Sequence, residues 1–230
     1  MIIGNGMLAR AFSPRYRDDP DVLVFASGVA NSAETDERAF RRERQLFELS
    51  ASAHAGKLVY FNSVAAALPD LEPTPYMRHK QAMEQRVLEH PGGIVLRLPQ
   101  VVGRSANPHT LANFLADRIR GGQRFSIQRR AERNLVDVDD VARIAEAMIE
   151  RTRPPRTLVI AGMRSLPMPA LVAIFERVLE RTAIHDLEDS GAPLPVDAGE
   201  AVAVAGPLGI DLGAGYAERV VRKYYGGGPG

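Results

Sequence analysis

Tyr76 and Lys80 are four residues apart in the segment Tyr-Met-Arg-His-Lys, at the start of a predicted helix. Residues at this spacing share one helix face, so the phenol and the ammonium group can point into one cleft. A free tyrosine has a pKa near ~10, and a nearby ammonium favours the phenolate. We therefore expect Lys80 to lower the pKa of Tyr76, which could then exchange a proton with a hydroxyl or carbonyl group.

Ser63 follows the apolar run at residues 58–61, which places its hydroxyl at the carboxyl end of a predicted strand, with Asn62 beside it. There it could hydrogen-bond the reacting oxygen of a substrate. An arbitrary tyrosine and lysine at this spacing would usually be a packed side chain and a solvated one. Here the serine-ended strand before them and a glycine turn further upstream favour catalysis.

Residues 4–9 read Gly-Asn-Gly-Met-Leu-Ala, follow an apolar run and open a helix. Glycines permit a tight turn and close approach of the backbone to a pyrophosphate, while the helix N-terminus supplies amide donors. Alone, the pattern fits an ordinary glycine turn equally well. A dinucleotide-binding fold usually carries an acid at the end of its second strand. Here the next strand, residues 22–26, ends in small residues, and the aspartates of this region precede it.

Short apolar runs alternate with longer amphipathic stretches along the chain. The predicted strands are residues 1–3, 22–26, 58–61, 94–98 and 157–161. The predicted helices are residues 6–13 (ended by Pro14), 34–52, 75–90, 108–120, 139–151 and 167–181. Thr74 is placed to cap the third helix, with Pro75 at its first position. Continuous apolar strands alternating with helices predict an α/β fold with a doubly wound parallel sheet.

Composition excludes several classes of protein. The 230 residues include no cysteine, which excludes disulfide scaffolds, thiolate metal sites and cysteine nucleophiles. A net charge of +1 gives no reason to expect nucleic acid or an anionic membrane as a partner. No apolar run approaches the ~20 residues of a membrane helix, and the N-terminus lacks the pattern of a secretory signal, so we expect a cytoplasmic protein. The five histidines show no metal-ligand spacing, and we predict no metal site.

Taken together, these segments resemble the extended short-chain dehydrogenase/reductase superfamily, and within it the NAD-dependent epimerase/dehydratase branch that acts on nucleotide sugars. Residues 4–9 resemble its dinucleotide turn, and residues 21–28 resemble its fourth strand with a small-residue end. Residues 59–63 are similar to the fifth strand, and residues 97–103 to the segment near the nicotinamide. Residues 134–142 resemble a late strand and helix start, and residues 158–180 the entry to the substrate lobe.

This resemblance implies NAD or NADP as cofactor and assigns roles residue by residue. Tyr76 would exchange the proton, Lys80 would lower its pKa and hold the nicotinamide ribose, and Ser63 would orient the substrate oxygen. The residues implied for cofactor binding are Gly4, Asn5, Gly6, Met7, Leu8, Ala26, Ser27, Gly28, Asn62, Tyr76, Lys80, Leu98, Pro99 and Val101. The residues implied for substrate binding are Ser63, Asn113, Arg124 and Arg133.

Charged residues near position 133 allow two interpretations. Arg129, Arg130 and Arg133 would by default form a solvated face, but in a nucleotide-sugar enzyme Arg133 could pair with a diphosphate. The aspartates that follow are expected to supply one packing or capping acid and one helix-dipole partner. His79 is expected on a different helix face from Lys80.

The chain departs from the family in its first half. If residues 22–28 are the fourth strand, the second and third strands are missing, so about five main strands remain. Those strands normally hold the adenosine half of the cofactor, which leaves adenine recognition and the choice between NAD and NADP open. We predict a dinucleotide-binding core at residues 1–161, with 105–135 contributing to the substrate lobe, and a small substrate-binding lobe at 162–230.

The predicted function is an NAD(P)-dependent epimerase or 4-ketoreductase of a nucleotide sugar. Val64-Ala65 stands where dehydratases of the branch usually carry Asp-Glu, which argues against 4,6-dehydration. The alternative is a non-catalytic, shortened dehydrogenase-like module that binds a nucleotide or a protein partner. The resemblance also implies a homodimer formed through the helices at 34–52 and 75–90.

Overall fold

In the computed structural model, which describes residues 1–67, 72–154 and 156–227, strands and helices alternate as the sequence pattern predicts. The strands are β1 (Ile2–Ile3), β2 (Val22–Phe25), β3 (Lys57–Ser63), β4 (Gly93–Leu98), β5 (Gln100–Val102), β6 (Phe125–Gln128), β7 (Glu132–Arg133), β8 (Leu135–Asp137), β9 (Arg156–Val159), β10 (Leu166–Pro167) and β11 (His185–Glu188). The helices are α1 (Met7–Tyr16), α2 (Glu37–Ser52), α3 (Pro75–Glu89), α4 (Leu111–Arg120), α5 (Val138–Arg151), α6 (Met168–Leu179), α7 (Gly199–Ala205) and α8 (Tyr216–Tyr225).

The chain divides into two compact units. The first comprises residues 1–98 and 141–160, and the second comprises residues 99–140 and 161–230. Residues 105–135, which were expected to contribute to the substrate lobe, group with the second unit. The functional division into a dinucleotide-binding core and a substrate lobe stays a prediction.

The first unit is built on a five-stranded parallel sheet with the order β1-β2-β3-β4-β9, which confirms the predicted fold class. Strand β2 is buried along its whole length, as expected for a strand covered on both faces. Tyr60 packs with Phe47 of α2 and Met83 of α3 on one face of the sheet. Phe61, the next residue of β3, points to the other face, where its ring lies 5.1 Å from that of Phe12 in α1.

Strand β1 is an edge strand. Within the described residues it pairs only with β2, through Ile2 with Val24 and Ile3 with Phe25. The described chain therefore supplies no strand on the flank that the second and third strands would occupy. This arrangement agrees with the shortened sheet expected from the sequence.

Side-chain caps set the starts of three helices, of which the sequence predicted only that of α3 at the right residue. The Thr74 side chain accepts a hydrogen bond from the Met77 amide at 3.2 Å, with Pro75 in the first turn. Helix α2 begins at Glu37 rather than residue 34, because the Asp36 side chain caps it there by accepting from the Arg38 amide. Likewise Thr110 caps α4, which starts three residues later than expected.

The predicted end of the first helix at Pro14 is wrong. Helix α1 continues to Tyr16 with Pro14 inside it. A proline removes one amide donor from the helix ladder, but Arg17 N–H still reaches the Ser13 carbonyl at 3.2 Å. Burial of the Phe12 and Tyr16 rings favours this last turn.

The second unit contains three small two-stranded sheets and four helices within its described residues. Strands β5 and β8 are parallel, as are β6 and β11, whereas β7 and β10 are antiparallel. Helices α6 and α8 pack together, with the rings of Phe175 and Tyr225 5.5 Å apart.

None of the helices in the described segments is long and apolar enough to cross a membrane.

Candidate functional site

The carboxyl ends of the parallel strands lie at one edge of the sheet in the first unit. The register pairs Ser63 at the end of β3 with Leu98 at the end of β4, and Asn62 with Arg97. Ala26, just beyond β2, donates its amide to the carbonyl of Ile3 at 2.7 Å. In a parallel α/β sheet this edge is where ligands bind.

The glycine turn lies at this edge, between β1 and α1. Gly4 adopts φ +125°, and a Cβ atom there would lie 2.4 Å from the Ala26 carbonyl oxygen, so only glycine fits. Gly6 is exposed and precedes α1, whose first turn has no side-chain cap. Asn5 is exposed, and Met7 and Leu8 are half-buried. The uncapped amides of this turn are suited to an anionic group.

The segment after β2 is tightly packed against two charged side chains. Ala26, Ser27 and Gly28 are all half-buried. A Cβ atom on Gly28 would lie 3.0 Å from a carboxylate oxygen of Glu43 and 3.1 Å from the Lys80 ammonium nitrogen. Any larger residue at position 28 would therefore displace this pair of charges.

Asn62 and Ser63 are joined at the end of β3. The Asn62 side-chain oxygen accepts the Ser63 amide at 2.8 Å, while its amide group donates to Glu84. Glu84 in turn pairs with Arg97. Ser63 is half-buried, and its hydroxyl oxygen accepts the Ala65 amide at 3.2 Å, which leaves the hydroxyl proton available to a substrate oxygen.

Tyr76 is buried in the first turn of α3, with 8% of its surface exposed, and it packs with Val29, Phe40 and Ala66. Burial and the nearby Glu43 carboxylate raise the pKa of Tyr76 to about 12. The expectation that its pKa would be lowered is therefore wrong in this structure. At neutral pH the phenol keeps its proton.

Lys80 does not act on Tyr76 as expected, because its ammonium group is committed elsewhere. It donates to the Tyr60 hydroxyl at 2.6 Å and to the Phe61 carbonyl at 3.1 Å. It also lies 3.6 Å from the Glu43 carboxylate, and within the described residues no hydrogen bond joins it to the Tyr76 hydroxyl. Burial lowers the pKa of Lys80, and Glu43 opposes that shift.

Glu43 is the residue of this site that the sequence analysis missed. It is completely buried on α2, where its oxygens accept from the Val29 amide at 2.6 Å and the Tyr60 hydroxyl at 2.5 Å. His79 Nε2 lies 2.9 Å from the same carboxylate, so His79 and Lys80 converge on it rather than facing different ways. A signal was present: Phe40, Glu43 and Phe47 form one helical stripe that is otherwise apolar.

The residues proposed to bind substrate in the second unit have structural partners. Asn113 donates to the carbonyls of Ser105 and Asn107 and accepts from the Tyr225 hydroxyl. Arg124 is exposed and pairs with Asp186 at 2.7 Å. Their roles in substrate binding stay predictions.

Of the arginine group, Arg133 is the half-buried member. It donates to the Glu132 carbonyl at 2.7 Å, and burial lowers its pKa. Arg129 and Arg130 are exposed and pair with Asp189, as expected for a solvated face. Pro99 and Val101 are half-buried at the start of the same unit.

A carboxylate cluster joins β8 and the start of α5 to α8. Asp137 is 4% exposed and accepts from the Asp139 amide, from Lys223 and from the Tyr224 hydroxyl, at 2.7–2.9 Å. Asp140 accepts from the Tyr216 hydroxyl at 2.8 Å. Asp137 is thus the predicted capping acid. The described residues contain no group of three or more acids and histidines placed to hold a metal ion.

The described residues fit the pyrophosphate of a dinucleotide but not its adenosine. The conformation of Gly4 and the uncapped start of α1 suit the pyrophosphate. On the flank beyond β1, the described chain provides no strand that could build an adenosine pocket.

A family model described as the NAD dependent epimerase/dehydratase family matches residues 11–161, about two thirds of the chain. The matched range begins just after the glycine turn. No protein with curated annotation matches the sequence. The family match confirms the resemblance drawn from the motifs and favours an enzyme over the non-catalytic module.

Solved structures share the fold at low sequence identity. UDP-glucose 4-epimerase from Thermus thermophilus, in complex with NAD, superposes with a TM-score of 0.71 at 16% identity, over 96% of this chain and 82% of that one. RMD from Pseudomonas aeruginosa, in complex with NADPH, gives 0.65 at 17% identity, over 98% and 89%. dTDP-glucose 4,6-dehydratase from Bacillus anthracis gives 0.67 at 13% identity, over 96% and 77%. At these identities the similarity concerns the fold.

Proposed function

Because this chain belongs to the NAD dependent epimerase/dehydratase family, we propose that it reduces the ketone of a 4-keto nucleotide sugar. Membership makes it an NAD(P)-dependent enzyme of the short-chain dehydrogenase type. The observation that carries the finer proposal is the environment of Tyr76. It is a buried phenol, near the Glu43 carboxylate and at the carboxyl edge of the sheet, that is held in its protonated form.

In this reaction Tyr76 serves as the proton donor. The reduced dinucleotide, when bound, supplies the hydride that the carbonyl carbon receives. Tyr76 Oη transfers its proton to the carbonyl oxygen as that oxygen gains charge, and the phenolate is then reprotonated from solvent. The Ser63 hydroxyl donates a hydrogen bond to the same oxygen and orients the ketone.

The cofactor would be held mainly by the glycine turn and the small residues after β2. Gly4 and Gly6 would allow the pyrophosphate to approach the first amides of α1. The Lys80 ammonium, fixed under the end of β3, would lie on the nicotinamide side. The choice between NAD and NADP stays open.

Epimerisation is the second candidate, and the state of Tyr76 makes it the less favoured one. An epimerase must first accept a proton from a sugar hydroxyl, which requires phenolate. With a pKa of about 12 for Tyr76, forming the phenolate at neutral pH costs about 7 kcal/mol. Reduction starts from the phenol and avoids that cost.

The substrate class rests on relatives and on the second unit. Structural neighbours include enzymes in complex with UDP-sugars, such as UDP-glucuronic acid. The second unit contains a cavity of about 460 Å³, lined in part by Arg104, Ser105 and the rings of Tyr224 and Tyr225. A guanidinium group and aromatic rings are suited to a diphosphate and to a base or sugar. The homodimer and the cytoplasmic location stay predictions.

The test is a pair of tyrosine variants. Purified protein is assayed with UDP- and dTDP-linked 4-keto hexoses and with NADH or NADPH, by following nicotinamide absorbance. Tyr76→Phe should lower turnover about 100-fold or more while leaving dinucleotide binding intact. Tyr16→Phe is the matched control, because Tyr16 is also buried in the first unit and its hydroxyl has no hydrogen-bond partner among the described residues.

Three results would count against the proposed reaction. Full turnover by Tyr76→Phe would exclude Tyr76 as the proton donor. Interconversion of 4-epimers without net oxidation of the nicotinamide would establish the second candidate instead. Failure of the folded wild-type protein to bind either dinucleotide would overturn the proposal, because the shortened domain would then lack a cofactor site.

A further inference from the structure

The first unit contains a buried charged cluster centred on Glu43, a residue to which the sequence pattern assigned no role. At its centre the Glu43 carboxylate is fully enclosed, yet it carries a negative charge. Burial by itself raises the pKa of Glu43, but hydrogen bonds from His79 and Tyr60 and the Lys80 ammonium lower it to about 2. A charge can be kept in such a place only when it is paired and hydrogen-bonded.

Lys80 is the matching buried cation. Its nitrogen is 3.6 Å from Glu43 and 4.5 Å above the centre of the Tyr60 ring, and its side chain is 4% exposed. Without a carboxylate beside it, burial would favour the neutral amine. The Tyr60 hydroxyl connects the two groups, since it accepts from Lys80 and donates to Glu43.

We propose that Glu43 is a positioning residue, which keeps the Lys80 ammonium charged and fixed under the end of β3. This inference rests on the proposed function. Glu43 then has two effects in the site: it holds the Lys80 ammonium in place, and together with burial it keeps the Tyr76 phenol protonated. Gly28 supports the arrangement, because any side chain there would press on both charges.

The other titratable groups facing this pair are few. Strand β3 contributes Tyr60, and helix α3 contributes Tyr76 and His79. Glu84 lies one turn beyond Lys80 on the same helix. Glu84 is engaged by Arg97 and Asn62, and neither of these residues contacts Glu43. Among the described carboxylates, Glu43 is the one that lies within 4 Å of the Lys80 ammonium.

The test observes Lys80 directly and requires no substrate. The chain contains three lysines, Lys57, Lys80 and Lys223, so the titration of each side chain can be resolved by NMR of 13C,15N-lysine-labelled protein. A unit charge 3.6 Å away, at an effective dielectric constant of about 20, shifts a titration by about three pH units. Glu43→Gln should therefore lower the midpoint of Lys80 by about that amount.

Glu84→Gln is the matched control. It also removes a carboxylate that is mostly buried on the same side of the sheet, but that carboxylate has no contact with the Lys80 ammonium. The midpoint of Lys80 should move by less than about one pH unit in this variant. An equal shift in both variants would show a general loss of structure and would overturn the assignment to Glu43.

Two further measurements keep the inference testable if Glu43→Gln does not fold. Lys80 of the wild-type protein must be charged at neutral pH, and a neutral Lys80 would refute the proposal. Tyr60→Phe, which removes one bridging hydroxyl but keeps Glu43, should shift Lys80 by only about one pH unit. If Lys80 behaves as expected while Tyr76→Phe retains full turnover, the proposed reaction fails and the role of Glu43 in charging Lys80 stands.

Discussion

Substituting the two glycines of the first turn separates a requirement of the fold from a requirement of the ligand. Gly4→Ala places a Cβ atom 2.4 Å from the Ala26 carbonyl oxygen and 2.7 Å from its carbon, at φ +125°. Gly6→Ala places one where no atom lies within 4 Å, at φ −72°. The two substitutions make the same chemical change at positions two residues apart, so each serves as a control for the other.

The expected cost of Gly4→Ala has two parts. A non-glycine residue in this backbone region carries about 1–3 kcal/mol of strain. The contact also pushes β1 away from β2, and β1 consists of two residues with no other partner among the described strands. The hydrogen bond from Ala26 to Ile3, at 2.7 Å, would then weaken at a cost of about 1 kcal/mol. We expect a total loss of about 2–4 kcal/mol, or a fall in Tm of about 5–15 °C.

Thermal and urea denaturation of both variants measure this difference. Gly6→Ala should lie within about 1 kcal/mol of the wild type, yet it should bind NADH or NADPH more weakly, because a methyl group would stand where the pyrophosphate approaches the α1 amides. Equal stabilities for the two variants would refute the backbone argument for Gly4. Unchanged dinucleotide affinity in Gly6→Ala would count against the turn as the phosphate site.

Two further predictions concern buried carboxylates. The pKa of Glu43 is lowered to about 2, so the ionised carboxylate contributes about 3 kcal/mol to the free energy of unfolding above pH 5. This contribution is lost as the pH falls toward 2. Urea denaturation midpoints measured from pH 7 down to pH 3 should show most of the loss in the wild type and not in Glu43→Gln. Asp137→Asn should cost about 2–3 kcal/mol, because Lys223 loses its buried counter-charge and the new amide nitrogen cannot accept from Lys223 or Tyr224. Asp139→Asn, whose side chain is 62% exposed, should cost less than about 1 kcal/mol in the same denaturation assay, and equal losses would contradict the burial argument.

Features that depend on residues close together along the chain were predictable from the sequence. Continuous apolar runs correctly predicted five parallel strands, because a strand covered on both faces needs apolar side chains at every position. Thr74 lies three residues from the amide that it caps, so the start of α3 follows from local chemistry. The turn at Gly4 was recognisable because only glycine adopts its backbone conformation.

Features that depend on distant contacts could be decided only by the tertiary structure. Helix α1 continues past Pro14, since the burial of Phe12 and Tyr16 outweighs one missing hydrogen bond. Asn113 was a candidate substrate ligand, but its amide is satisfied by carbonyls six and eight residues away and by a tyrosine hydroxyl near the end of the chain.

The pKa of Tyr76, in the predicted catalytic pair with Lys80, also depends on distant contacts. The spacing of Tyr76 and Lys80 correctly placed both in α3 near the sheet edge, but it could not give the direction of the Tyr76 pKa shift. That direction depends on burial and on Glu43, which is 33 residues from Tyr76 in the sequence and becomes its neighbour only when α2 packs beside α3. A pKa depends on all charges and all solvent within a few ångströms, and neither is encoded by spacing along one helix.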